Sequence, residues 1–245
     1  MRKLEFRGED LTPDKLQALG LESELEHLVI WGGPLVNDDL VPLAQLTELK
    51  QLVLGEMRID DGVFAHLEHL SKLETLILAY TANRGDLTAL THLPLRDLRL
   101  EGCRFVGDAC AETLAKMPGL RHLEMHMTGL TDRGVAALAA LPLETLWLGP
   151  RVTDASMETL SKMPTLRHLD ICAHNVSDVG AKMLATLPKL EVLWLTRCDI
   201  TDACVEALGS VSTLRELNVN CTGVSADGIR TLRSALPQCR FPEPD

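Results

Sequence analysis

The residues of this 245-residue chain best equipped for chemistry are histidines and acids at alternating positions. His122, Glu124 and His126 form one such run, and His168 with Cys172 forms a second. Alternate residues of an extended segment share a face, so each run offers metal-ligating or proton-transferring groups side by side. Between the two runs lie Thr145, Trp147 and Gly149, which ligate nothing. If the runs belong to parallel strands with one strand between them, they stand about 9.6 Å apart, too far to close a tetrahedral metal site. His66 and His69 lie three apart with Glu68 between them, without the His-Glu-x-x-His order of zinc proteases, and read as exposed helix residues. No glycine loop able to cradle phosphate and no Gly-x-Ser-x-Gly nucleophile turn is present. No catalytic residue, metal or cofactor is therefore expected, and the protein reads as a non-enzyme.

The elements that would position such residues follow from one apolar signature, Leu-x-x-Leu-x-Leu, which recurs eleven times at steps of 22 to 25 residues. Clear copies begin at Leu25, Leu49, Leu73, Leu95, Leu120, Leu143, Leu166, Leu190 and Leu214, and weaker ones at Met1 and Leu236. Such a period accommodates one strand and one short helix. No single unit can bury its apolar edge alone, so neighbours must stack. The return path is equally legible. Thr131-Asp132, Thr153-Asp154, Ser177-Asp178 and Thr201-Asp202 each follow an aliphatic residue and open a helical run, with the hydroxyl capping the first turn and the acid at its positive end. Pro94, Pro118, Pro142, Pro164 and Pro188 end the helices just ahead of the next strand. No linker interrupts the series, so residues 1–245 are expected to form a single domain of about ten to eleven repeats.

Read whole from Leu190 to Asp202, the pattern Leu-x-x-Leu-x-Leu-x-x-Cys-x-Ile-Thr-Asp resembles the cysteine-containing subclass of leucine-rich repeats, known from F-box substrate receptors and many bacterial proteins. No helical adaptor precedes the first strand, so the resemblance implies the repeats without an F-box. It implies an α/β leucine-rich-repeat solenoid: a curved horseshoe with a parallel β-sheet on the concave face and short helices on the convex one. It also implies a protein-binding scaffold whose partner the repeats do not name.

Composition narrows the partner. A formal net charge of -11 argues against nucleic acid, which needs a basic stripe, and favours a basic protein or peptide. No run of about 18 apolar residues suggests a membrane span, and residues 1–6 lack the apolar stretch of a secretory leader. Of the seven cysteines, Cys103 and Cys198 fall in equivalent slots four repeats apart and Cys110 and Cys204 in another, too distant to bond. Buried thiols in a reducing cytoplasm are expected, with Cys198 and Cys221 the one pair in adjacent repeats.

The second and third Leu of each signature face the core, so the residues around them face the concave side. The middle column reads Glu5, Val29, Val53, Ile77, Arg99, Glu124, Trp147, Asp170, Trp194, Asn218; Trp31 and His126 lie in the column after it. All three tryptophans occupy these columns. Trp is the residue most enriched at binding hot spots. Trp31, Val29, Val53 and Ile77 are expected to form one apolar patch, and Trp147, Val192 and Trp194 another. A polar band of Asp97, Arg99, Glu101, His122, Glu124 and His126 should separate them. A plainer reading has the aliphatics there for strand propensity and each Trp covering a neighbouring strand. The residues after the first Leu alternate in sign from Arg2 to Arg215, except at Arg96 beside Arg121, where Asp97 or Glu124 could supply the missing acid. The sequence thus reads as a concave protein-binding module. An acidic inhibitor of a basic enzyme and a repeat fragment of a larger receptor or adaptor are the alternatives.

Overall fold

The computed structural model describes residues 2–20 and 24–243, and Met1 of the first signature lies outside them. Ten strands follow the repeats: β1 Arg2–Arg7, β2 Leu25–Trp31, β3 Gln51–Gly55, β4 Thr75–Ala79, β5 Asp97–Arg99, β6 His122–Met125, β7 Thr145–Leu148, β8 His168–Ile171, β9 Val192–Trp194 and β10 Glu216–Asn218. They form one open parallel sheet whose spatial order is the chain order. The last signature adds only an isolated bridge from Arg240 to Glu216, so the eleventh copy closes the sheet's end without becoming a strand.

Leucine burial sets the register. Leu28, Leu52, Leu76, Leu98, Leu123, Leu146, Leu169, Leu193 and Leu217 face one another across neighbouring strands, each at most 1% exposed. A slip of one residue would turn that column to solvent. The partner column on the opposite face runs Glu5, Val29, Val53, Ile77, Arg99, Glu124, Trp147, Asp170, Trp194, Asn218, as the spacing predicts.

The return segments change along the chain. Helix α1 spans Pro13–Leu19, α2 Phe64–Leu67, α3 Asp108–Leu114, α4 Asp132–Leu138, α5 Asp154–Leu160, α6 Asp178–Leu184, α7 Val205–Gly209 and α8 Ala226–Ala235. The second repeat returns through a 3-10 segment, Asn37–Gln45, with Pro42 inside it, and the fourth through Thr88–Leu90. A proline inside the return removes an amide donor and favours the tighter turn.

Asp108, Asp132, Asp154, Asp178 and Asp202, each opening a helical turn, do more than sit at its positive end. Asp108 accepts from the amide and hydroxyl of Thr131 at 2.8 and 2.7 Å, and Asp132 does the same for Thr153 at 2.8 and 2.8 Å. Asp154 holds Ser177, Asp178 holds Thr201 and Asp202 holds Ser225 in the same way. Each carboxylate thus clamps the cap of the next repeat, and charge-assisted bonds of this kind are the stronger ones. Thr153, Ser177 and Thr201 also cap their own helices, whereas the Thr131 side chain makes no cap bond.

Two steps of the charged ladder are ion pairs. Lys50 pairs with Glu26 at 2.7 Å, and Arg167 pairs with Glu191. At the like-charge step Arg121 donates to the carbonyls of Pro118 and Leu120, while Asp97 is engaged by Arg99. Cys198 and Cys221 are not bonded; the Cys198 thiol is buried and donates to the Ile171 carbonyl, and Cys221 is exposed.

Candidate functional site

The middle of the sheet, from β5 to β9, gathers the polar and aromatic side chains of the helix-free face. Arg99 and Asp97, alternate residues of β5, form a two-point pair at 3.0 and 2.9 Å. On β6, His122 Nδ1 meets Thr145 Oγ1 of β7 at 3.0 Å, repeating a His27–Gln51 contact of 2.8 Å between β2 and β3. These cross-strand bonds fix the ring orientation.

Glu124 departs from expectation. The spacing places it in a polar band on the open face, yet it is 7% exposed. Among the described residues no hydrogen bond reaches its carboxylate. Burial, followed by the nearby charge of Glu101, pushes its pKa upward against the opposing pull of His126 and Arg99. Its neighbours Arg99 and Trp147 stand directly across on the adjoining strands, which is why solvent is largely excluded.

His126 lies just beyond β6 and reaches two repeats away. Its ring packs on Trp147 with centroids 5.5 Å apart, and its Nε2 stands 3.6 Å from Asp170 Oδ1, too long for a hydrogen bond but close enough for an ion pair when protonated. Burial alone would lower the His126 pKa, but Asp170, then Glu124 and Glu101, outweigh it and the net shift is upward. The three-way contact was invisible to one-repeat periodicity.

The apolar end is not the patch the spacing suggests. Val29 and Val53 are 8% and 5% exposed and Ile77 is half-buried. They are overshadowed from both sides. The His27–Gln51 bridge lies on one flank, and on the other Trp31 lies across Gly55, where a Cβ would run into the indole. Trp31 therefore covers its neighbouring strand, in line with the plainer reading. Trp147 and Trp194 are also half-buried, and Trp194 Nε1 donates to Glu216 at 2.9 Å.

Shallow depressions run along this face. One of about 260 Å³ is bounded by Asp97, Arg99, His122, Glu124, Trp147 and His168. A smaller one of about 120 Å³, almost wholly apolar, lies between Trp147, Asp170 and Trp194. A third, of about 340 Å³, joins Trp31, Val53 and Ile77 to Arg99 and Glu124. Among the described residues no group of three or more His, Cys, Asp or Glu could hold a metal ion, and no helix is long and apolar enough to cross a membrane.

Comparison with known proteins follows this geometry. A family model described as leucine-rich repeat matches residues 162–185, 186–209 and 212–232. No curated protein sequence matches significantly. Among solved structures, internalin C2 of Listeria monocytogenes is 22% identical with a TM-score of 0.56, the match covering 77% of this chain and 84% of that one. A plant peptide hormone receptor, solved in complex with RGF2, is 14% identical with a TM-score of 0.53; the match covers 98% of this chain but 49% of the receptor. A second Listeria monocytogenes internalin, inlF, is 19% identical over 99% of this chain and 86% of its own, with a TM-score of 0.48. Three of the repeats match the family model, and the ten-strand parallel sheet with short return helices is the leucine-rich-repeat fold.

Proposed function

We propose that the protein is a non-catalytic interaction module that binds a protein or peptide on the concave face of its sheet. The observation carrying this is the pair Trp147 and Trp194, half-buried on that face with an apolar depression between them. In a chain with three Trp and one Tyr, two indoles flanking one hollow are hard to attribute to core packing. Binding by the plant receptor, whose fold this chain shares in outline, is consistent with the reading. Arg99, Glu124, His126 and Asp170 would form the polar part of the same surface, and Trp31, Val29, Val53 and Ile77 its N-terminal wall. His122 and His126 are engaged by Thr145 and by Trp147 with Asp170, which favours positioning over proton transfer.

A basic partner suits the net charge of -11 and would associate faster at low salt. A reducing compartment such as the cytoplasm suits seven free cysteines, with the buried Cys110, Cys198 and Cys204 thiols pushed up to about 12 by desolvation. The test is capture of co-purifying proteins by the intact chain, repeated with Trp147→Ala plus Trp194→Ala. Loss of a specific partner by about thirtyfold or more, with an unchanged melting curve, is the expected result. Undiminished capture would move the binding surface elsewhere.

A further inference from the structure

We infer that the central depression of the concave face receives the guanidinium group of a partner's arginine, paired with Glu124 and lying against Trp147. The inference rests on the concave reading above and specifies what that face recognises.

The starting point is a carboxylate with no internal partner. Glu124 is 93% buried by complement of its 7% exposure, and it borders both the central depression and the larger one beside it. No protein donor reaches the carboxylate, yet its oxygens are not sealed from water, so the hollow leaves them open to a donor from outside. Other acids of the region are engaged. Asp97 is held by Arg99, Glu101 accepts from the Tyr80 hydroxyl at 2.7 Å, and Asp170 faces His126.

The charged and titratable groups around Glu124 can be named strand by strand. On β5 and just past it are Asp97, Arg99 and Glu101; on its own strand and just past it, His122 and His126; on β8, His168 and Asp170. Facing positions on β7 hold Thr145 and Trp147, which carry no charge. Since Arg99 is matched by Asp97, the region keeps a surplus of negative charge that a cation from outside would neutralise.

Three features select guanidinium. Two unclaimed carboxylate oxygens match a planar fork of two N–H donors. The Trp147 indole borders the same hollow and offers a flat surface on which a guanidinium stacks. Finally, the hollow is about 260 Å³ and open on the face, so a side chain can enter from a bound protein without rearranging the sheet.

The experiment uses the full chain, labelled with nitrogen-15, and three probes: acetyl-arginine amide, the neutral acetyl-citrulline amide and acetyl-lysine amide. The expected result is a saturable shift of the Trp147 indole N–H and the Glu124 amide with the arginine probe. Citrulline should bind about ten- to a hundredfold more weakly, the factor associated with a charge-assisted bond. Glu124→Gln is nearly isosteric, and it should reduce arginine binding to the citrulline level while keeping the wild-type spectrum elsewhere. Equal binding of arginine and citrulline, or arginine binding untouched by Glu124→Gln, overturns the proposal. Lysine binding as tightly as arginine overturns the choice of guanidinium. Failure here is separable from failure of the concave reading: partner capture lost in the double Trp variant but kept in Glu124→Gln would preserve the face and discard the arginine.

Discussion

Gly180→Ala is the sharpest test of how the repeats are held together. Gly180 lies in the first turn of α6 with ordinary helical backbone, so helix propensity alone predicts that Ala stabilises by about 0.5–1 kcal/mol. The surroundings predict the reverse. A Cβ at this site would run into Asp154 Oδ1, the atom that accepts the Ser177 amide at 2.9 Å, and would lie 2.7 Å from Met157 Cγ. Asp154 Oδ2 takes the Ser177 hydroxyl at 2.6 Å, so displacing the carboxylate disturbs both bonds of the clamp. Each charge-assisted bond is worth about 1.5–3 kcal/mol. Asp154 is only half-buried and water would replace part of the loss, so roughly half of the sum, about 1.5–3 kcal/mol, is at risk. After the propensity gain, the net cost is about 1–2 kcal/mol, or about 2–8 °C in Tm for a chain of this size. Gly180→Ser should be milder, because Ser156 occupies the equivalent slot one repeat earlier and donates to Asp132 at 2.5 Å. The assay is thermal unfolding followed by circular dichroism. A Gly180→Ala variant that melts higher than wild type would show that the clamp contributes nothing and that propensity decides.

Other outcomes follow from the same contacts. Leu146→Ala, at a fully buried slot of β7, should destabilise by about 2–5 kcal/mol in urea unfolding; an unchanged midpoint would contradict the register. Glu124→Gln should raise Tm at pH 7. Its folded pKa lies above the unfolded value of about 4.3, so the stabilising protonated form is lost as pH rises through the folded value, and the difference from wild type should vanish near pH 4. The clamp acids behave oppositely. Burial would raise Asp132 and Asp178, but hydrogen bonds from Ser156 and Thr153 and from Thr201 outweigh it, while bonds from Ser225 depress Asp202. Their contribution is present above the unfolded value of about 3.9 and lost as pH falls through the folded values, so Tm should drop steeply below about pH 4, less so in Asp132→Asn. Glu191→Lys removes the pairs with Arg167 and His168 but acts at a partly exposed site, and a loss above about 1 kcal/mol would mean the ladder matters more than surface pairs do.

Periodicity alone determined the ten-strand parallel order and the column assignments. Leu98 must face Leu123 and Arg99 must face Glu124 because any slip would expose the leucine column. Helix starts at Thr153, Ser177 and Thr201 were legible for a similar reason, since caps are set by neighbours in sequence. What the spacing could not decide depends on reach between repeats. Whether Val53 is open or covered turns on where the Trp31 indole lies, and that turns on Gly55 one strand away. The approach of His126 to Asp170 crosses a whole repeat, a distance no single-repeat pattern encodes. The clamp of Asp154 on Ser177 joins one helix start to the next, although its residues were each visible as caps. Glu124 is the clearest case: its column marks it as outward-facing, but Arg99 and Trp147 stand on either side of it, and it is only 7% exposed, with no hydrogen bond to its carboxylate. A strand's alternation specifies the side on which a residue emerges, whereas its exposure is set by the size and direction of side chains on the neighbouring strands.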